Sequence, residues 1–134
     1  MNIKIKTVPN NRQKYNTCGN YGVDESGNIW VEVSEMMRPH EWLIVIHELV
    51  EIFLCEMEGI KVSEIDAFDL AFEKDRVKGL HTFEEEPGDA DAPYRNQHCI
   101  ATAVERMLCG HLGISWNAYE DACVKLTKSY KRKK

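Results

Sequence analysis

The stretch from Trp42 to Cys55 reads W-L-I-V-I-H-E-L-V-E-I-F-L-C, and its only ionisable side chains before the final cysteine are His47, Glu48 and Glu51. A helix turns by about 100° per residue, so these three side chains share one arc of about 100°. Burying an unpaired carboxylate is costly, and a metal ion compensates for imidazole and carboxylate groups together. The pattern therefore predicts a metal site on a core helix.

The spacing H-E-x-x-E differs at one position from the H-E-x-x-H zinc helix, in which two histidines bind the metal ion. In this chain Glu51 stands where the second histidine would be. A set of two histidines and one glutamate is also a catalytic zinc shell, so one more histidine is needed. We predict that His98, at the start of the third predicted helix, completes this set.

Three acidic residues are alternative third ligands: Asp66 and Asp69 on the second predicted helix, and Asp89 in an acidic loop. A solvated helix face and a solvated loop are the more ordinary interpretations of these residues. Cys55 continues the face of Glu51, and a buried thiol is the more ordinary interpretation there than a zinc thiolate.

Glu105 lies about 10 Å further along its predicted helix than His98, which is too far to share the ion easily. We expect it to support the site or to pair with Arg106. Without a metal ion, Glu48 or Glu51 would instead belong to a structural ion-pair network. The candidate cations for that network are Arg76, Arg95 and Arg106.

Hydrophobic periodicity and turn signals predict an α+β fold in a single domain over residues 1–134. A strand is predicted over residues 3–7, and a hairpin with arms at 21–23 and 29–33 forms a small N-terminal antiparallel sheet. About four helices pack on it, over residues 40–58, 64–78 and 92–110 and from 116 onwards. The expected starts of the last three are marked by Ser63 with Asp66, by Asp91 and by Ser115.

The remaining segments are predicted to be irregular or to pack in the core. Residues 80–93 are rich in Glu, Asp, Pro and Gly and read as a loop. Residues 126–134 are predicted to be a frayed basic tail. The tryptophans, including Trp30 and Trp42, are expected to pack in the core.

Charge and cysteine content exclude several classes of protein. The net charge of -5 and the pI near 5.5 disfavour a general nucleic-acid binder, because phosphate neutralisation needs a basic surface. The five cysteines are odd in number and form no C-x-x-C pair, which is typical of a reducing cytoplasm. No window approaches 18 apolar residues, so we expect a cytoplasmic protein with no membrane partner.

The order of a strand, a hairpin containing I-W-V-E-V and the helix W-L-I-V-I-H-E-L-V-E resembles the minimal zincin arrangement of metallopeptidases. The patterns E-I-D-A-F-D-L-A-F-E, E-P-G-D-A-D-A-P-Y and H-C-I-A-T-A-V-E-R-M-L extend a second similarity, to short uncharacterised proteins encoded by phages and prophages. That similarity covers most of the chain. Glu51 in place of histidine is the departure from the usual zincin pattern.

The zincin resemblance implies a zinc-dependent hydrolase, in which His47, Glu51 and His98 hold zinc and Glu48 is the general base. It also implies a peptide or protein substrate, aligned along Ile29 to Val33 as an added edge strand. Two other classes are kept open. One is a non-catalytic metal-binding or interaction module of phage origin, and the other is a carboxylate-bridged iron or manganese protein.

Overall fold

The structure, a computed structural model, describes residues 1–81 and 89–131. Its strands are β1 (Ile3–Val8), β2 (Gly19–Val23) and β3 (Ile29–Ser34). Its helices are α1 (Arg38–Met57), α2 (Val62–Val77), α3 (Arg95–Leu112) and α4 (Trp116–Ser129). The α+β class, with a three-stranded sheet and four helices in the described part of the chain, is as the sequence predicts.

Strands β2 and β3 form the predicted hairpin. The Asp24 carboxylate accepts hydrogen bonds from the backbone N–H groups of Ser26 and Asn28, each at 2.9 Å. Gly27 completes the turn with φ of 80°, a conformation that costs glycine little. The local turn chemistry therefore sets the register that pairs Tyr21 with Val31.

Strand β3 is the centre of the sheet, whose order is β1-β3-β2. Strand β1 pairs with β3 in parallel, with Ile3 opposite Ile29, and β2 pairs with it antiparallel. The antiparallel pairing predicted for the hairpin is confirmed, but β1 makes the sheet mixed. The predicted edge position for residues 29–33 is wrong. Val31 and Val33 are 0% exposed, and the central position gives these two side chains neighbours on both sides.

Helix α1 carries the predicted metal-site motif and is the central helix of the fold. Pro39 lies in its first turn, where a missing N–H leaves no bond unmade. Gly59 follows its end with φ of 74°. The helix packs against β2, β3 and α3, and Leu43 and Cys55 are both 2% exposed in the core it forms.

The starts of α2 and α3 differ from the predicted ones. In α2 the capping acid is Glu64, whose side chain accepts from the Lys61 N–H at 3.0 Å, so the predicted Ser63 and Asp66 cap is wrong. Helix α3 starts at Arg95 and not near residue 92. Pro93 accounts for this shift, since the residue before a proline is disfavoured in helical conformation.

Helix α4 begins as predicted, with the Ser115 hydroxyl accepting from the Ala118 N–H at 3.1 Å. It continues to Ser129, so a frayed tail starting at residue 126 is wrong. The Asn10 side chain donates to the Leu126 carbonyl at 3.0 Å, which attaches the end of α4 to the segment after β1. Residues 132–134 of the predicted tail, and 82–88 of the predicted loop, lie outside the described residues.

The two tryptophans expected in the core, Trp30 and Trp42, differ in their exposure to solvent. Trp42 is 53% exposed, so its predicted core position is wrong; the Arg38 guanidinium lies 6.0 Å from its ring centroid. Trp30 is partly buried on β3. Within residues 1–81 and 89–131, no helix has the length and apolar character needed to span a membrane.

Candidate metal centre

Three predicted ligands meet where α1 packs on α3. The Nε2 atom of His47 lies 3.2 Å from Oε2 of Glu51, one helical turn further along α1. The Nδ1 atom of His98, at the start of α3, lies 3.0 Å from the same His47 nitrogen and 3.2 Å from the same Glu51 oxygen. The helix packing therefore brings one atom of each side chain to a common point.

The three side chains differ in their access to solvent. Those of His47 and Glu51 are 9% and 5% exposed, and that of His98 is 24% exposed. His98 is thus the member of the group that faces the open side of the site.

Glu105 lies behind His47, on the opposite side of the ring. Its Oε2 atom is 3.1 Å from His47 Nδ1, and its other oxygen accepts a hydrogen bond from the Tyr119 hydroxyl. A carboxylate at Nδ1 favours the tautomer in which Nδ1 carries the proton and Nε2 presents a lone pair. The supporting role predicted for Glu105 agrees with this contact, whereas Arg106 lies 5.2 Å over the ring of Trp116.

In that tautomer the three converging atoms are His47 Nε2, Glu51 Oε2 and His98 Nδ1. The first two present lone pairs, so only His98 Nδ1 could carry a proton and donate it to the others. One hydrogen bond cannot satisfy three contacts of 3.0 to 3.2 Å. A doubly protonated His47, or a cation among the three atoms, would satisfy these contacts.

The electrostatics of the site favour positive charge. Burial lowers the pKa of His47, but hydrogen bonds to Glu105 and Glu51 and the charge of Glu48 raise it overall, to about 11. Burial also raises the pKa of Glu51, yet the hydrogen bonds from His47 and His98 outweigh this and hold it below its usual value. The same carboxylates that stabilise an imidazolium would stabilise a divalent cation.

The donor set fits zinc. Imidazole nitrogens and a carboxylate oxygen are zinc ligands, with distances of about 2.0 to 2.2 Å to the ion. The three ligand atoms form a nearly equilateral triangle with sides of 3.0 to 3.2 Å, so one ion could be held by all three. His47, Glu51 and His98 also form the one group of three potential metal ligands found in the described part of the chain.

Glu48 lies beside this group and faces a cavity. It is 8% exposed, and a Cβ atom added to Gly19 would lie 2.4 Å from its Oε1 atom, so its carboxyl group packs directly on the backbone of β2. Burial and the charge of Glu51 raise the pKa of Glu48 to about 8. No residue within 1–81 or 89–131 forms a hydrogen bond to this carboxyl group.

The cavity has a volume of about 210 Å³ and lies between the start of β2, α1 and the two C-terminal helices. One residue in its wall was not expected there. Asp69 of α2 is 4% exposed, and its two oxygens accept hydrogen bonds from Tyr94 at 2.7 Å and Tyr15 at 3.0 Å. The solvated helix face predicted for Asp69 is therefore wrong.

The other alternative ligands lie elsewhere. Asp66 is 3.8 Å from Lys14, and Asp89 is 4.0 Å from His81. Cys55 is 2% exposed and lies 3.9 Å from the Tyr21 hydroxyl, as expected for a buried thiol.

No protein-family model, curated protein or solved structure matches the chain. The resemblance to zincins and to phage-encoded proteins therefore stays a prediction from motifs.

Proposed function

We propose that the protein is a zinc-dependent hydrolase with a zincin-like site, in which His47, Glu51 and His98 hold the ion. The observation that supports this best is the convergence of three ligand atoms within 3.2 Å of one another. The Glu105 carboxylate behind His47 adds support, since metal-binding histidines commonly donate their second N–H to such a group.

Zinc held by three protein ligands supplies a polarising charge that lowers the pKa of a bound water to about 7. Glu48 is the proposed general base. Its carboxyl group is unpaired among the described residues and faces the same cavity as the ligands. The charge of a bound zinc ion would favour the ionised carboxylate over the protonated form, so Glu48 could accept a proton from the attacking water. It can then return that proton to the leaving nitrogen of an amide.

The proposed substrate is a peptide or another amide that enters the cavity beside His98. Strand addition along residues 29–33 is not available, because β3 already has a neighbour on each side. The edge strand nearest Glu48 is β2, and its outer edge is partly satisfied: the Tyr21 N–H donates to the Asn20 side chain at 2.9 Å. We therefore infer that the cavity, and not a sheet edge, holds the substrate.

The test is elemental analysis of protein purified without chelators or metal columns, combined with hydrolysis of a mixed peptide pool. The wild type should contain about one zinc per chain, and His47→Ala should contain much less. His111→Ala, at an exposed histidine, is the matched control and should keep the metal. Glu48→Gln should keep zinc and lose hydrolysis by about 100-fold or more.

Each contrary result removes a different part of the proposal. A folded wild type that contains no zinc and takes up none would refute the metal site and favour a doubly protonated His47. Undiminished hydrolysis by Glu48→Gln would refute the general base. Bound zinc with no hydrolysis of any peptide would favour the non-catalytic metal-binding module, and the same elemental analysis would reveal iron or manganese.

A further inference from the structure

The cavity beside the metal centre is strongly acidic. Five carboxyl groups line it in the described part of the chain, and no lysine or arginine does. They belong to Glu48, Glu51, Asp69, Glu105 and Glu120. Even with Glu48 protonated, a single divalent ion would neutralise only two of the four remaining charges, so a negative potential remains at the cavity wall.

The roles of these carboxyl groups differ. Glu51 and Glu105 contact His47, and Glu120 lies on an exposed surface of α4. Among the described residues, the hydrogen-bond donors to Asp69 are two neutral groups, the hydroxyls of Tyr15 and Tyr94. A carboxylate has about four acceptor positions, so two hydroxyl donors leave Asp69 able to accept from a further donor.

Two more acceptors point to a donor-rich ligand. Glu48 is more than nine-tenths buried, faces the cavity and has no hydrogen-bond partner among the described residues. The Asn16 side chain also lines the cavity, where its N–H donates to the Thr127 carbonyl. Its Oδ1 atom is buried and accepts nothing from residues 1–81 or 89–131. Glu48 and Asn16 therefore add unused acceptors to the cavity wall.

Asp69 lies close to the metal centre without belonging to it. The Tyr94 ring, whose hydroxyl donates to Asp69, packs edge-on at 6.5 Å from the ring of His98. One tyrosine side chain thus separates Asp69 from a proposed ligand. Asp69 and His98 both line the cavity.

We propose that Asp69 forms a subsite for a positively charged group, a primary ammonium or a guanidinium, on the molecule that the metal centre acts on. This inference rests on the proposed function and names the chemical class of its substrate. Asp69 would be a specificity-determining residue. It would form a charge-assisted hydrogen bond in a wall to which the described residues contribute no lysine or arginine.

The test measures binding, so it does not depend on turnover. Zinc-loaded protein is titrated calorimetrically with linear hydroxamates that end in an ammonium group, with spacers of one to about five methylene groups. Isosteres that end in methyl are measured in parallel. The best-fitting ammonium compound should bind at least about tenfold more tightly than its isostere.

Two matched variants identify the residue. Asp69→Asn should reduce the affinity for the ammonium compound about tenfold and leave that for the methyl compound unchanged. Asp66→Asn changes the same residue type on the same helix, at a partly exposed position near Lys14, and should alter neither. Circular dichroism and zinc content verify that each variant is folded and loaded.

Failure of the subsite and failure of the metal centre give different results. Equal affinities for each ammonium and methyl pair in zinc-loaded protein, or an unchanged ammonium affinity in Asp69→Asn, would overturn the subsite alone. If the protein binds no zinc, the proposed function is wrong, and the apo-protein is titrated with pentylammonium and pentanol by NMR. A preference for the amine that Asp69→Asn abolishes would still support the subsite, and equal binding would overturn it.

Discussion

The Nδ1 atom of His47 lies 3.1 Å from the Oε2 atom of Glu105, on the far side of the ring from its contacts with Glu51 and His98. Tyr119 of α4 donates a hydrogen bond to the other oxygen of the Glu105 carboxylate. Because Glu105 lies on α3, helix α4 supports the His47 side chain of α1 through a residue of α3. The orientation of His47 therefore depends on three helices.

Glu105→Gln should weaken zinc binding by about 10- to 100-fold, because the amide no longer places a negative charge against His47 Nδ1. Competition with a chelator of known affinity measures this change. Glu120→Gln, which alters an exposed carboxylate of the same cavity, is the control and should bind zinc like the wild type. Equal affinity in Glu105→Gln and wild type would contradict the supporting role.

Tyr119→Phe should lower the free energy of unfolding by about 1 to 3 kcal/mol, since it leaves one oxygen of the buried Glu105 carboxylate without its donor. Urea unfolding of the two proteins gives the difference. Tyr130→Phe removes a hydroxyl that donates to the Gln13 carbonyl at a partly buried position, and we expect a loss below about 1 kcal/mol. Losses of equal size would show that burial of the Glu105 carboxylate carries no special cost.

Gly19→Ala should destabilise the fold by about 1 to 3 kcal/mol and displace Glu48. The new Cβ atom would lie 2.4 Å from Glu48 Oε1 and 2.6 Å from Ile44 Cγ2. Gly110→Ala is the control, because nothing lies within 4 Å of its Cβ position in α3. We expect it to stabilise the protein by up to about 1 kcal/mol. Thermal unfolding of both variants compares them, and equal stabilities would contradict the close packing at Gly19.

Asp69 should make stability depend on pH. Burial raises the pKa of Asp69 from 3.8 to about 6, against the opposing hydrogen bonds from Tyr94 and Tyr15. The folded state thus binds the proton more tightly than the unfolded state, and stability falls as the pH rises from about 4 to 6. The total change is about 3 kcal/mol by the relation between pKa and free energy.

The check is the difference in unfolding free energy between the wild type and Asp69→Asn across that pH range. The variant has no carboxyl group to ionise at this position, so the wild type should lose stability relative to it as the pH rises. Asp66→Asn supplies the baseline, as Asp66 is partly exposed. A difference that stays constant from pH 4 to 6 would contradict the raised pKa.

The helix that carries the candidate site could be predicted because its pattern is local. His47, Glu48 and Glu51 are adjacent in sequence, and apolar neighbours on both sides reveal that they are buried. His98 was identified by its residue type and by the need for another nitrogen ligand. Its contact with His47 depends on how α3 packs against α1, which the spacing along either helix does not determine.

The predictions that were wrong concern features that depend on contacts between residues far apart in the sequence. Asp69 has the sequence context of a solvated helix face, and its burial depends on Tyr15 and Tyr94, which are 54 and 25 residues away. The parallel pairing of β1 with β3 is likewise non-local, since alternation of apolar residues predicts a strand but not its partner. The hairpin, by contrast, was predicted correctly because Asp24 and Gly27 specify it within a few residues.

The contact between His47 and His98 joins positions 51 residues apart, and α2 lies entirely within that interval. An ion shared by these two histidines would act as a cross-link that closes a long loop. Closing such a loop in the unfolded chain has a large entropic cost, which grows only slowly with further length. Metal binding and the docking of α3 on α1 would then be coupled in one equilibrium. A substitution that weakens the packing of these two helices would therefore also weaken metal binding, even if it changes no metal ligand.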